Sequence, residues 1–354
     1  MKKNKRLKLG SHIISENSFP YIIAEIGVNH ECSINLAKKM IKQAKKGGAH
    51  GVKFQSYKAD KIASKNSPSY WDVREEKTNS QFNLFKKYDK FNFSDFKLLK
   101  KFCNKIKIDF LSTPFDNDVV NELNTLVPFF KIASADITNL PLLKKIAKTK
   151  KTVILSTGAS NLNEIKNAYK YLKKNGTKNI VLLHCILNYP TKNKNANLNM
   201  ITDIKEHFPN DFIGYSDHTK PDKDLNSIII SYILGARVIE KHFTYNKKLK
   251  GNDHYHSMDF IDLREFVSKL AVARELLGTI NSKKCIKEEL ISRKNARRSI
   301  YANKSIKKNK KIREDDLICK RPGLGISPLN FYKIIGKKAK KNIKKDDIFK
   351  NSLF

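Results

Sequence analysis

Each apolar run up to His242 ends in, or carries, residues able to do chemistry. The first ends Ala24-Glu25-Ile26-Gly27-Val28-Asn29-His30, and the second carries Lys53 and Gln55. The third ends Ser112-Thr113-Pro114, the fourth holds Lys131 with Ser134, and the fifth ends Ser156-Thr157-Gly158. The sixth ends His184-Cys185, with Asn188-Tyr189-Pro190 just beyond; the seventh ends Ser216-Asp217-His218, and the eighth Glu240-Lys241-His242. Two lysines inside apolar strand cores demand an explanation. A buried ammonium must be paired or shift its pKa, and a phosphate or carboxylate ligand would supply the partner. The hydroxyls of Thr113, Ser134 and Ser216 suit phosphate oxygens, although singly each is also an ordinary cap or turn residue. His218 and His242 stand at equivalent ends of consecutive runs, so their imidazoles could share one divalent metal with positions left open for water and substrate. Asp253, in Gly251-Asn252-Asp253-His254, could bind sugar hydroxyls, assist the metal site or simply form a turn. Arg321 opens Arg321-Pro322-Gly323-Leu324-Gly325, a rigid turn that suits reaching into an anionic pocket.

These residues can act together only if the elements carrying them share one end. The runs lie at 21–27, 51–55, 109–113, 129–133, 152–156, 179–184, 212–216 and 237–242, with amphipathic stretches between them. The first such stretch reads as a helix: Ser33 caps it, Leu36, Met40, Ile41 and Ala44 share a face, and Gly47-Gly48 ends it. Stretches 140–148 after Asn139 and 162–173 after Asn161 read the same way. Strands alternating with helices predict parallel strands joined by right-handed crossovers. Eight such units over about 250 residues match a TIM (β/α)8 barrel; a doubly wound open sheet is the alternative. In a TIM barrel all eight strands end on one rim, which would gather the residues above around one pocket. His184 is read as a core residue or as support behind that pocket. The long connection 57–92, which contains Trp71, is either a lid over the rim or a surface insertion.

After about Leu277 the pattern changes. Residues 281–293 read as a linker with a short helix, and short strands follow at 298–301, 310–312 and 317–320. The division is therefore a barrel over 1–280, a linker over 281–293 and a small mostly-β domain over 294–354. A segment of that size has a marginal core of its own, so it should lean on its own barrel or on a partner subunit.

Composition narrows the class. The chain has 354 residues, 40% hydrophobic and 30% charged, which rules out wholesale disorder. Lys+Arg 71 against Asp+Glu 34 gives a net charge of +37. Lysine dominates and is spread through every segment, whereas base readers favour the planar fork of arginine, so the charge reads as a solvated surface rather than a nucleic-acid site. Five cysteines with no CxxC pair argue against a disulfide framework or structural zinc and fit a reducing, cytoplasmic compartment. The basic start is not followed by an apolar signal core. The longest apolar run, 228–234, is too short to span a bilayer.

The ordered set of motifs resembles the bacterial sialic acid synthase family: Ala24 to His30, Lys53-Phe54-Gln55, Ser112-Thr113-Pro114-Phe115, Lys131-Ile132-Ala133-Ser134, Ser156-Thr157-Gly158, His184-Cys185, Ser216-Asp217-His218-Thr219, Glu240-Lys241-His242-Phe243 and Arg321-Pro322-Gly323-Leu324-Gly325. That family includes N-acetylneuraminate synthases and their legionaminate and pseudaminate relatives. The resemblance runs from about residue 10 to the end. It implies a TIM barrel followed by an antifreeze-like (SAF) domain, in a domain-exchanged homodimer. It implies condensation of phosphoenolpyruvate with an N-acylated hexosamine and water, giving a nine-carbon 2-keto acid and phosphate. Glu25, Lys53, Lys131 and Asp253 would then be catalytic. Gln55, Thr113, Ser134, Asn188, Tyr189, Ser216, Glu240 and Arg321 would bind substrate, Arg321 arriving from the partner subunit. His218 and His242 would bind Mn2+ or Mg2+. The chain departs from the family pattern at Cys32, Leu187 and Asn252, and Leu187 bears most on sugar recognition. Two other readings of the residues are a Schiff-base aldolase with Lys53 or Lys131 as nucleophile, and a basic nucleic-acid-binding protein.

Overall fold

The computed structural model describes residues 5–251, 253–280 and 282–354; Asn252, one of the departures noted above, and Asn281, the first residue of the expected linker, lie outside them. A hairpin of β1 (Arg6–Leu9) and β2 (His12–Ser15) comes first. Eight parallel strands follow: β3 (Tyr21–Gly27), β4 (Gly51–Ser56), β5 (Asp109–Pro114), β6 (Phe130–Ile132), β7 (Val153–Ser156), β8 (Ile180–Cys185), β9 (Phe212–Asp217) and β10 (Val238–His242). They pair in the order β5-β4-β3-β10-β9-β8-β7-β6, and β5 and β6 lie side by side at the seam. The result is a nearly closed TIM barrel. Each strand falls within two residues of the apolar run that predicts it, because a strand covered on both faces must be apolar along its length.

The helix Ile34–Gly47 shows why the intervening segments fold as they do. Ser33 Oγ accepts from Leu36 N, and Gly48, at φ +98°, returns its N–H to the Ala44 and Lys45 carbonyls. Ala37, Met40, Ile41 and Ala44 are buried against the barrel, while Leu36 is half-buried. Fully burying a side chain the size of Met40 or Ile41 contributes about 1.5–3 kcal/mol, more than the isolated helix propensities supply.

The hairpin closes the barrel at the end where the strands begin. Leu9 and Ile14 join Tyr21, Ile23, Leu111, Phe129, Ile154, Val181, Leu183, Phe212 and Val238 in one apolar cluster. Its turn requires Gly10, at φ +54°, where any side chain would run into the Asp109 carboxylate. Asp109 in turn accepts from Tyr21 Oη at 2.7 Å and Ser11 N at 3.1 Å. With that end plugged, the opposite rim is left for a site.

The segment 57–92 is not a bare loop. It contains the helices Ala59–Ile62 and Gln81–Tyr88 and a bridge between Pro68 and Ser80. The chain divides into two compact units, the second being Thr279–Phe354. In it β11 (Ser299–Ala302) and β12 (Leu317–Lys320) pair antiparallel, over a core that includes Ile300, Ile312, Leu317, Ile343 and Phe349. The strand expected at 310–312 is reduced to a single bridge, Lys311 with Lys338. No described helix is long and apolar enough to cross a membrane.

Candidate active site at the strand ends

Strand register places the charged groups side by side. Glu25 on β3 is the register partner of both Lys53 on β4 and His242 on β10, and Glu240 is that of Ser216. A register shift between Glu25 and Gly27 bends β3 at this point; such irregularities re-aim side chains at barrel rims. Gly27, at φ +55°, permits the bend, and a Cβ there would press on both Glu25 Oε1 and Gln55 Nε2 at 3.2 Å.

Glu25, Lys53, Lys131 and Glu240 are all at least 95% buried. Lys53 pairs with Glu25, donates to Thr113 Oγ1 at 3.0 Å and lies 3.8 Å from Glu240 Oε2. Lys131 Nζ lies 3.4 Å from Glu240 Oε1, which also accepts from Ser216 Oγ at 3.0 Å. Gln55 Nε2 donates to Glu25 Oε1 at 3.2 Å. Burial opposes every one of these charges, but the outcomes differ. The Glu240 carboxyl is held at about 2 despite its burial, by Lys131 and Lys53. Burial pushes Glu25 above the usual carboxylate range, and the pull of Lys53 offsets this only in part. Lys53 stays above the ordinary lysine value against its burial because Glu240 and Glu25 both face it, whereas burial pulls Lys131 down. Two carboxyls whose pKa values are driven apart suit two tasks: Glu240 a standing counter-charge, Glu25 a group able to carry a proton.

A second cluster stands beside the first. His242 Nδ1 is 3.2 Å from Asp253 Oδ2, and His256 Nε2 is 3.8 Å from Asp253 Oδ1. One ligand atom from each of the three residues lies within 4.8 Å of the others. The His218 ring sits 5.5 Å from the His242 ring, its Nδ1 held 2.7 Å from the Ile186 carbonyl and its face 4.1 Å from Tyr189. An Nδ1–H donated to a carbonyl leaves Nε2 as a lone-pair donor. His242 Nδ1 is buried yet, among the described residues, makes no hydrogen bond of good geometry. Imidazoles and a carboxylate with their ligand atoms this close together fit a divalent cation.

Glu25, Lys53, Lys131, Glu240, His218, His242 and Asp253 border one cavity that opens to solvent. Gln55, Thr113, Ser134, Ser216 and Tyr189 line it too, with Ser134 Oγ accepting from Gly158 N at 2.9 Å. Asn188 does not line it: its side chain is exposed, and Leu187 takes the cavity position. Arg321 is an exposed residue of the second unit. His184 turns away to the Ala196 carbonyl at 2.8 Å and stacks on Tyr215, as a core residue does. Asp217 and Lys241, one step along their strands, point to the other face and pair at 2.9 Å.

Residues 40–282 match the NeuB family, and residues 297–354 match the SAF domain. The chain belongs to the NeuB family. It is 41% identical over 334 residues to the N,N'-diacetyllegionaminic acid synthase of Campylobacter jejuni, covering 93% of this chain and 98% of that one. It is 36% identical to the enzyme of the same name from Legionella pneumophila, covering 91% of each. The crystal structure of the N-acetylneuraminic acid synthetase of Leptospira borgpetersenii, in complex with citrate, superimposes with a TM-score of 0.73 at 33% identity, covering 82% of this chain and 95% of that one. Like these relatives, this NeuB-family chain is an enzyme. Two parts of its site escape motif reading. His256 belongs to no strand end; its only signal is the spacing Asp253-His254-Tyr255-His256. The wall built by 57–92, with Tyr57, Ile62, Tyr70, Trp71, Leu84, Phe85 and Tyr88, carries no motif at all.

Proposed function

We propose that this NeuB-family enzyme condenses phosphoenolpyruvate with the open-chain aldehyde of an N-acylated hexosamine and water. The products are a nine-carbon 2-keto acid and phosphate. The reading is carried by one observation: Lys53, Lys131, Glu25 and the His242–Asp253 pair border a single cavity at the strand ends of the barrel.

Lys53 and Lys131 bind the phosphate and carboxylate of phosphoenolpyruvate, with the hydroxyls of Thr113, Ser134 and Ser216 directed to the same oxygens. Glu25 and Glu240 already balance the two ammoniums, so a substrate with two anionic groups needs further positive charge. We assign that charge to a divalent ion, Mn2+ or Mg2+, held by His218 and His242, and to Arg321 from the small domain of a partner subunit. When bound, the ion supplies Lewis-acid polarisation of the sugar aldehyde. Gln55, Tyr189 and Asp253 orient the sugar. The C3 carbon of phosphoenolpyruvate forms the new bond to the aldehyde carbon as its carbonyl π bond opens; the alkoxide takes a proton from solvent to become a hydroxyl, and the cation left at C2 takes up water. Glu25, pushed up by burial and steadied by Gln55, accepts the proton of that water. The C2–O bond to phosphate then breaks; the departing phosphate keeps the bridging oxygen and takes the proton of the C2 hydroxyl, which becomes the keto group.

In this reading the barrel (1–280) carries the chemistry, and the linker 281–293 delivers the small domain (294–354) to a second copy of the chain, in the cytoplasm. Leu187 and the aromatic wall favour an acceptor bearing acylamino and deoxy groups over a fully hydroxylated one, because a hydroxyl facing Leu187 would lack a partner. The test is product analysis with phosphoenolpyruvate and a panel holding N-acetylmannosamine and diacetamido-dideoxy hexoses. Phosphate release coupled to a nine-carbon acid is expected with at least one of them. Phosphate release with none would overturn the proposal.

A further inference from the structure

His256 has no part in the reaction as proposed so far. It has no exposed surface, and among the described residues neither ring nitrogen has a hydrogen-bond partner. A neutral imidazole carries one N–H donor and one lone pair, and leaving such groups unmade in the interior costs about 1–3 kcal/mol each. Packing does not call for a polar ring here: its neighbours are the rings of Tyr189, Tyr255 and His242, centred 5.4, 4.9 and 4.8 Å away. An apolar ring would fill that space without the penalty. His256 Nε2 lies 3.8 Å from Asp253 Oδ1, while the other oxygen of Asp253 faces His242. Two donors each about 2.1 Å from one ion stand about 3.0–3.4 Å apart at tetrahedral or octahedral angles. The 3.2 Å and 3.8 Å separations around Asp253 are close to that range.

We infer that His256 is a ligand of the divalent ion, joining His218 and His242 beside the Asp253 carboxylate, so that the enzyme holds its metal before any sugar arrives. A site this rich in imidazole discriminates: nitrogen donors favour Mn2+, Co2+ or Zn2+ over Mg2+, which prefers oxygen and retains its waters. The inference rests on the proposed reaction only for what the ion is used for; ion binding itself is measured without substrate, so it can fail or hold independently of that reaction.

The test is titration of Mn2+ into chelator-treated, substrate-free enzyme, comparing wild type with His256→Gln. Calorimetry should show binding to the variant weakened by at least 10–100-fold, the range in which even the loss of a supporting partner falls. The nitrogen couplings of bound Mn2+, read by pulsed electron paramagnetic resonance, should fall by one imidazole. Wild-type affinity and an unchanged nitrogen count in His256→Gln would overturn the inference, since a merely structural histidine moves neither. Should the variant fail to fold, anomalous diffraction from Mn2+-soaked wild-type crystals decides the matter. An ion at about 2.1 Å from His256 Nε2 supports the assignment, and an ion out of bonding reach of that atom rejects it.

Discussion

Lys131 Nζ stands 3.4 Å from Glu240 Oε1, with both side chains about 95% buried. Glu240, which Lys53 also supports, and Lys131 hold each other's charge against burial. Removing one partner of such a pair strands the other, at a cost of about 3–5 kcal/mol. Lys131→Met and Glu240→Gln should each lower the unfolding free energy by about that amount. The double variant should lose less than the sum, with a coupling of about 0.5–3 kcal/mol. Urea unfolding of the four proteins measures this, and strict additivity would show that the two groups do not sense each other.

The proposed metal ligands should separate activity from folding. His218→Ala and His242→Ala should each abolish metal-dependent turnover while leaving the thermal unfolding of the chelated protein near that of wild type. Full activity in either variant would remove that residue from the metal assignment.

Arg321 tests the proposed domain exchange. Arg321→Ala should impair turnover without unfolding the barrel. Mixing it with Lys131→Met, after dissociation and reassociation of subunits, should restore activity in part, because mixed dimers regain one site with both groups intact. Absence of rescue in confirmed mixed dimers would place Arg321 and the barrel it serves in one chain.

Acid should destabilise the barrel through two histidines far from the metal ligands in sequence. Burial holds His30 and His50 at about 4. Each accepts a backbone N–H at Nδ1, from Cys32 at 3.1 Å and from Ile22 at 3.0 Å, so protonation would destroy an acceptor. Their folded pKa values lie below the unfolded value near 6.5. The stability they contribute is therefore fully present above pH 6.5 and is lost as pH falls from there toward 4. Each accounts for about 2–3 kcal/mol at the acid end. Chemical unfolding at a series of pH values should show the loss. His50→Asn, whose Oδ1 can accept the same N–H without titrating, should shrink it.

What the sequence discloses follows from how each feature is encoded. The barrel is legible because a strand buried on both faces writes an unbroken apolar run, and Lys53, Lys131, Glu25, His218 and His242 are legible because each interrupts or terminates such a run. Asn188 is not among the residues lining the cavity. Position after a strand does not set the direction of a side chain in an irregular turn, and there Leu187, not Asn188, faces the cavity. His256 is hidden for a related reason: it sits on a short 3-10 turn, His254–His256, whose fold depends on tertiary contacts rather than on a local period. The hairpin of β1 and β2 is too short and too basic to announce itself, and only Leu9 and Ile14 reveal its task once the barrel is assembled. The 57–92 segment could be read from length alone as lid or insertion; its aromatic side chains line the cavity.

The most direct test of the reaction follows the oxygen that bridges C2 and phosphorus. Phosphoenolpyruvate labelled with heavy oxygen at that bridge, incubated with the enzyme, Mn2+ and the acceptor sugar found active, should release phosphate that carries all of the label, alongside a nine-carbon 2-keto acid. Unlabelled phosphate would mean that the P–O bond breaks instead, and would contradict addition of water at C2 beside Glu25.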